Sequence, residues 1–403
     1  MADRFTGSFT QQEPLSDAAV AAATEVMRHG RLHRYNTAAG ELGEVALFEQ
    51  EFAASVGAKY ALAVASGGYA LATTLRALGV APGEPVLTNA FTLAPVPGAI
   101  ASLGARPVFV DVTEDLVVDL AHLEEIARAS DARILMLSHM RGHICDMEAL
   151  VALTDRLGLT LVEDCAHTMG ASWNGTPSGR FGKLAAFSTQ TYKHINSGEG
   201  GVLITDDPDL MARAVLLSGS YMLYERHAAA PSPDAFEDLR LETPNISGRM
   251  DNLRAAILRP QLAELSRQAE RWNTRYRVLE QGLADVPGLR LIPRPEKEGY
   301  VASSFQFLLP GWDGASVAAV VAGCAARGVE LKWFGADQPV GFTSRYDHWA
   351  YAAPAALPQT DRVLAALLDM RLPLTFSTDD CALIARIIAD EVGQAYQRRI
   401  AAE

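Results

Sequence analysis

The stretch LAAFSTQTYKHINSGEGGVLITDD, residues 184–207, sets two apolar runs, 184–189 and 200–207, around a polar connection. Residues 190–199 show no helical periodicity, so the runs can pair as antiparallel strands. Lys193 stands in that connection among hydroxyl, aromatic and apolar neighbours, and glycines follow at 198, 200 and 201. Lysine ordinarily lies among other charges on a helix face. Here its surroundings favour the uncharged amine.

Upstream, a different rhythm leads into this stretch. Residues 45–58 place Val45, Phe48 and Phe52 at helical spacing and stop at Gly57. YALAVAS (60–66), PVLTNA, RPVFVDV, ARILMLSH and LTLVEDCA read as short buried strands, each separated from the next by a helical pattern. Continuous apolar strands alternating with helices predict an α/β fold whose mostly parallel sheet is covered on both faces. From Asp251 a long helical pattern carries Leu253, Ile257, Leu262, Leu265, Trp272, Tyr276 and Leu279, with a kink expected at Pro260. Beyond it, SSFQFLLPG, a helix at 315–327, VELKWF and helices near 360–370 and 379–399 predict a smaller α+β domain. The expected division is an N-terminal segment, 1–34, packing with the small domain, a large domain, 35–255, and a small domain, 256–403. Residues 219–244, rich in Ala, Pro and acids, read as a surface excursion serving as a mobile lid or an interface.

The 403 residues are 49% hydrophobic and 21% charged, a globular profile, and the net charge of −13 argues against a nucleic-acid footprint. Cys145, Cys165, Cys324 and Cys381 form no CxxC pair, so neither a disulfide framework nor a metal site is expected. No apolar run reaches membrane-spanning length, and the N-terminus lacks a signal-peptide core. A cytoplasmic enzyme without a membrane partner is the expectation.

In an open parallel sheet, ligands sit beyond the carboxyl ends of the strands. Ser66, Gly67 and Gly68 fall there, between a strand and a helix whose free N–H groups suit a phosphate. Glu163 and Asp164 end another strand; their side chains alternate, so one faces the site and the other a helix-covered side. A desolvated Lys193 keeps its amine free to condense with a carbonyl. Pyridoxal 5′-phosphate needs such a lysine, a carboxylate at its ring nitrogen and donors for its phosphate. Asp164, Lys193 and the Ser66–Gly68 turn supply these parts.

These residues resemble the DegT/StrS-type sugar aminotransferases, of the aspartate-aminotransferase-like fold type I. SGGYAL, LGARPVFVDV, VEDCAHTMGA, AAFSTQTYKHINSGEGGVLIT and RMDNLRAAILRPQL carry the likeness, from about Phe48 to Leu262. The resemblance implies Lys193 as the Schiff-base lysine and Asp164 as the partner of the ring nitrogen. It places His167 by the ring hydroxyl, Gly67, Gly68 and Ser188 at the phosphate, and Leu93 against the ring. It further implies a homodimer with active sites at the subunit interface, where Asn245 of one chain, or Ser247 by strict alignment, completes the other's phosphate site. The implied activity is ping-pong transfer of an amino group from glutamate or glutamine to a keto-sugar or related carbonyl. HGRLHRYN (29–36), segment 219–244 and GFTSRYDHWAY (341–351) are the expected acceptor contacts, with Arg31, Arg34, Arg249 and Lys332 as candidate anion ligands. Leu93 stands where the family usually has an aromatic residue and Gly68 where it has threonine, which puts the usual substrate in question. A dehydratase acting on deoxysugars and a non-catalytic, cofactor-binding regulator are the rivals; Lys193 and the absence of cluster-spaced cysteines argue against the first, and Lys193 with Asp164 against the second.

Overall fold

The computed structural model describes residues 3–38 and 40–402. Helices α1 (Asp17–His29) and α2 (Glu44–Val56) precede β1 (Tyr60–Val64). Next come α3 (Gly67–Ala77), β2 (Pro85–Asn89), α4 (Pro95–Ser102), β3 (Arg106–Val110) and α5 (Leu120–Ala129). The chain continues with β4 (Ile134–Ser138), α6 (Met147–Leu157) and β5 (Thr160–Asp164). A small hairpin, β6 (Ser172–Trp173) and β7 (Thr176–Pro177), leads to β8 (Leu184–Ser188), β9 (Gly201–Thr205) and α7 (Pro208–Leu217).

Seven strands form one sheet in the order β1-β9-β8-β5-β4-β2-β3. The pairs from β3 through β8 are parallel, and β9 runs against both its neighbours. The short connection at 190–199 is therefore the antiparallel turn that its lack of helical pattern predicts. Alternate residues of each strand feed opposite cores. On β8, Ala186 packs with Leu62, Val162 and Leu203, whereas Ala185 and Phe187 pack with Phe52, Val202 and Ile204. Burial on both faces explains why these strands read as unbroken apolar runs.

Two helices, α8 (Asn252–Ala263) and α9 (Leu265–Leu283), carry the chain out of the large domain. Pro260 lies inside α8, and the break falls at Glu264 rather than at the proline. The expected domain division after residue 255 lies inside α8, whose Ala255 and Leu258 share the core of Phe48 and Phe52. From Tyr276 onward α9 belongs to the small-domain core.

The small domain comprises β10 (Arg290–Leu291), β12 (Ser304–Leu308), α10 (Gly314–Ala326), β13 (Lys332–Trp333), α11 (Pro358–Ala366), β14 (Leu367–Arg371) and α12 (Thr378–Ala402), while β11 (Glu298–Gly299) pairs with β6 of the large-domain hairpin. The small domain's antiparallel sheet has the order β10-β12-β14-β13. The helix expected near 360–370 ends at Ala366, and 367–371 is an inner strand of this sheet. Its Leu368 and Met370 pack among Phe305 and Phe307 in the core. Phe5 and Phe9 insert into the same core, edge-on to Phe376, and α1 lies along α8. Segment 219–244 is pinned at its middle, where Tyr224 stacks on Phe236 with centroids 4.6 Å apart in the large-domain core. A free lid would have to expose both rings.

Candidate active site

A cavity of about 470 Å³ opens at the carboxyl ends of β4, β5 and β8 and at the N-terminus of α3. The small domain closes it with Ser303, Ser304, Arg371 and the loop carrying Gly341, Phe342 and Ser344. Lys193 and Asp164 both line it, as do Gly67, Gly68, Leu93, His167 and Ser188. Residues expected from distant parts of the sequence thus share one site.

Lys193 Nζ lies 2.9 Å from His167 Nε2. The backbone N–H of Arg141 donates to His167 Nδ1 at 3.3 Å, which fixes Nδ1 as an acceptor. A neutral ring then carries its proton on Nε2 and offers it to the lone pair of Lys193, a bond that only the free amine can accept. Burial, together with Lys193, Arg141 and His194, holds the imidazole well below its usual range, so it is neutral. Burial also lowers the Lys193 ammonium to about 8, helped by Arg141 and Arg371 and opposed by Asp164. At pH 7 roughly one chain in ten then holds a free amine, against about one in three thousand for an ordinary lysine.

Asp164 and Glu163 separate as the alternation requires. Ser138 Oγ–H donates to Asp164 Oδ2 at 2.8 Å and the Ala166 N–H to Oδ1 at 3.1 Å. Burial raises this carboxyl above its usual range in spite of these bonds and the attraction of Lys193. Glu163 turns the other way, fully buried, where it accepts the N–H groups of Gly179, Phe181 and Gly182. His139 Nε2 lies 3.0 Å from it. Asp164 is therefore the acid of the pair that lines the cavity, and Glu163 anchors the loop behind the site. With Cys165 it forms a buried His–Glu–Cys group, but its carboxylate is already engaged by those donors.

Ser66 caps α3, accepting the Tyr69 N–H at 3.1 Å, and Gly67 and Gly68 follow as the first helical residues. A Cβ on Gly67 would lie 2.8 Å from Ser188 Cβ, so glycine is needed where the two chain segments meet. A Cβ on Gly201 would strike the Ser66 carbonyl, which explains the glycine that opens β9. At Gly68 the nearest atom to an added Cβ is Pro95 Cβ, at 3.8 Å. Gly67→Ala is expected to destabilise the fold by about 1–3 kcal/mol through overpacking. Gly68→Ala is expected to be neutral, or stabilising by up to about 1 kcal/mol from helix propensity. Melting temperatures of the two variants check the contrast, and equal behaviour would contradict this geometry.

Asn245 and Ser247 are exposed beside Gly219 and do not line the cavity of their own chain. Arg34 is no anion ligand: it is buried in a paired contact with Glu49 at 2.8 and 2.9 Å, beside His227. Arg31 pairs with Glu41, and Arg249 donates to the Gly219 carbonyl. Of the expected acceptor segments, 341–351 reaches the cavity, while 29–36 and 219–244 do not line it within this chain. The sequence reading missed Ser138, Arg141, Tyr192 and Arg371. Tyr192 had a signal, since it adjoins the reactive lysine; its ring faces the Arg371 guanidinium at 3.5 Å. All four cysteines are buried and unpaired. Among the described residues no helix is long and apolar enough to cross a membrane.

Residues 15–389 match the model of the DegT/DnrJ/EryC1/StrS aminotransferase family. A protein of Micromonospora echinospora named as an L-glutamine:3-amino-2,3-dideoxy-scyllo-inosose aminotransferase is 31% identical over 289 residues, 71% of this chain and 67% of its own length. The dTDP-3-amino-3,4,6-trideoxy-alpha-D-glucose transaminase of Streptomyces venezuelae is 36% identical over 251 residues, 60% of this chain and 61% of its own. The crystal structure of 3-amino-5-hydroxybenzoic acid synthase superposes with a TM-score of 0.81 at 26% identity. It covers 98% of this chain and 100% of that one.

Proposed function

The chain belongs to the DegT/DnrJ/EryC1/StrS aminotransferase family, and from that premise we propose that it moves the amino group of L-glutamine or L-glutamate to a ring-borne carbonyl of a keto-sugar or cyclitol. It is an aminotransferase of the pyridoxal 5′-phosphate-dependent type, with the fold type I architecture. The observation that carries the reading is a buried lysine 2.9 Å from His167 in a cavity with a buried carboxylate and a glycine-lined helix N-terminus.

The residues present fit the cofactor. Gly67 approaches Ser188 too closely for any side chain, which leaves α3 N–H groups and the Ser188 hydroxyl for a phosphate. Leu93 offers an apolar surface to one ring face, and Asp164 would hold the ring nitrogen protonated. When bound, pyridoxal 5′-phosphate supplies an aldehyde that condenses with amines and a ring that withdraws electrons from the substrate's Cα. Lys193 would hold it through its amine, and the same Nζ, 2.9 Å from His167, would move the proton at the donor's Cα and again when a carbonyl acceptor occupies the same cavity.

The donor proposal leans on the glutamine in the name of the Micromonospora relative. The three relatives are named for a scyllo-inosose, a dTDP-linked sugar and a hydroxybenzoic acid, all ring compounds. We assign the working unit as a homodimer in which Asn245 of one protomer reaches the phosphate site of its partner. Tyr221, Met222, Leu241 and Ile246 are exposed apolar side chains in and beside the 219–244 segment, a composition suited to a covered face. Light scattering that returned the 43.3 kDa monomer mass for the holoenzyme would refute the dimer.

A single half-reaction tests the activity. Mixing holoenzyme with L-glutamine or L-glutamate is expected to bleach the visible absorbance of the lysine-bound cofactor and release the matching keto acid. No conversion with either donor would refute the donor assignment.

A further inference from the structure

Two inner strands of the small domain bury polar side chains. Gln306 on β12 and Asp369 on β14 are register partners, and both are buried. Their neighbours Phe305, Phe307, Leu368 and Met370 fill the small-domain core, so strand alternation turns Gln306 and Asp369 the other way. There they meet the loop that follows β4. Arg141 Nη2 donates to Asp369 Oδ2 at 2.7 Å, and Gln306 Nε2 donates to Oδ1 at 2.7 Å. His143 Nε2 lies 3.0 Å from Gln306 Oε1. Burial and the Arg294 charge hold this histidine well below its usual range, so the neutral ring offers its Nε2 proton to the amide oxygen. One loop of the large domain is thus tied at two residues to the small-domain sheet.

The backbone of that loop is strained. Arg141 has φ 57° and ψ 18°, the left-handed region that glycine or asparagine enters readily and arginine does not. Gly142 follows at φ 79°, where an added Cβ would lie 3.0 Å from the His167 carbonyl. This bent pair aims the Arg141 N–H at His167 Nδ1, 3.3 Å away. One residue therefore reaches two places, the small-domain carboxylate with its guanidinium and the histidine beside Lys193 with its N–H. Arg294 steadies the Gly142 carbonyl at 2.8 Å, but among the described residues only Asp369 holds the Arg141 side chain. Arg141 Nε has no partner, so a single Nη2 bond carries the tie. Lys332 is the register partner of Asp369 on β13, yet it makes no hydrogen bond and does not line the cavity, contrary to its expected role as an anion ligand. Arg371 faces Tyr192 instead. Neither cation replaces Arg141 on Asp369.

We propose that Arg141 is a positioning residue for the reactive lysine: its ion pair with Asp369 holds the left-handed backbone that points its N–H at His167, so the docked small domain keeps the Nε2 proton of His167 turned to Lys193. The proposal rests on the aminotransferase reading above, but its first test needs no turnover. With the ion pair broken, residue 141 relaxes toward an ordinary φ and His167 Nδ1 loses its donor. The ring can then carry its proton on either nitrogen. A bare Nε2 accepts from the lysine ammonium and stabilises it, whereas Nε2–H is matched only by the free amine.

The test separates backbone from charge in three variants of the full chain: Asp369→Asn, Asp369→Asn with Arg141→Ala, and Asp369→Asn with Arg141→Gly. Both double variants lack the ion pair and leave neither of its charges buried alone; they differ in whether residue 141 takes a positive φ without strain. Nitrogen-15 NMR of histidine-labelled apoprotein reads the tautomer of His167, its signals identified by their loss in His167→Gln. The parent and the double variant with Arg141→Gly are expected to show a protonated Nε2 and a bare Nδ1. The double variant with Arg141→Ala, and Asp369→Asn alone, are expected to show a mixture of tautomers. In the half-reaction above, the Arg141→Ala double variant is expected to be slower than the Arg141→Gly one by at least about tenfold, with donor half-saturation within about threefold, since both lack the same guanidinium. Its melting temperature should also be the lower of the two, the reverse of the usual order of alanine and glycine. Tautomers and rates alike in the two double variants overturn the proposal, and so does a parent-like tautomer in Asp369→Asn. Asp369→Asn strands a buried guanidinium; should it not fold, the double variants decide. A parent that fails the half-reaction counts against the function proposed above and leaves the NMR comparison to judge this one.

Discussion

Lys193→Ala is expected to lower turnover by about four orders of magnitude or more while leaving the fold in place. Among the described residues its only side-chain hydrogen bond is to His167, and it forms no ion pair, so its removal breaks no salt bridge of the fold. The catalytic loss has two sources: the amine that anchors the cofactor, and the base that takes a proton at the substrate's Cα. Borohydride reduction followed by intact mass measurement separates this role from a structural one. Parent protein should gain the mass of the reduced cofactor at one site, and the variant none. A variant that still fixes the cofactor covalently would move the assignment to another lysine. The same chemistry has a pH signature in the parent. Only the unprotonated amine attacks an aldehyde, and burial brings Lys193 down to about 8. Capture of the cofactor by apoprotein should therefore speed up about tenfold per pH unit below that value and level off above it. An ordinary lysine would keep accelerating through pH 10.

How much of this site was legible in the sequence depended on how far apart its parts lie. The sheet was readable because its strands are buried on both faces and hence continuously apolar, separated by helical patterns. The split between Glu163 and Asp164 followed from strand alternation alone. Tertiary pairings were not readable. Arg34 looked like an anion ligand because nothing local announces Glu49, fifteen residues on, or His227. Arg141, Lys332 and Arg371 converge only once β13 and β14 are laid beside the large domain, and β14 itself was hidden in a stretch read as helix. The break at Glu264 escaped for a similar reason. Leu265 serves the large-domain core and Tyr276 the small one, a division set by packing rather than by the proline.

Asp164→Asn should separate function from folding more sharply than any other change. The amide is nearly isosteric. Its oxygen can still accept the Ala166 N–H, and its NH2 can donate to the Ser138 hydroxyl, which in the parent donates to Oδ2, so both contacts can be kept with one of them reversed. What it cannot do is hold a positive charge at the ring nitrogen. The expected loss in kcat is about three orders of magnitude, with weakened cofactor retention. Stability of the apoprotein should move the other way. Burial raises the Asp164 carboxyl above its usual range, so the folded state binds its proton more tightly than the unfolded chain does. Stability from this group is then greatest at low pH, and it is lost as pH rises from the ordinary carboxylate range through the raised value. An uncharged asparagine removes that loss, so the apo variant should melt at or above the parent's temperature near neutral pH. A structural aspartate would give the reverse, a lower melting point with turnover falling in proportion. Near-normal turnover would mean that another group meets the ring nitrogen. Glu163 is poorly placed for that role, because three backbone N–H groups and His139 hold its carboxylate on the far side of β5.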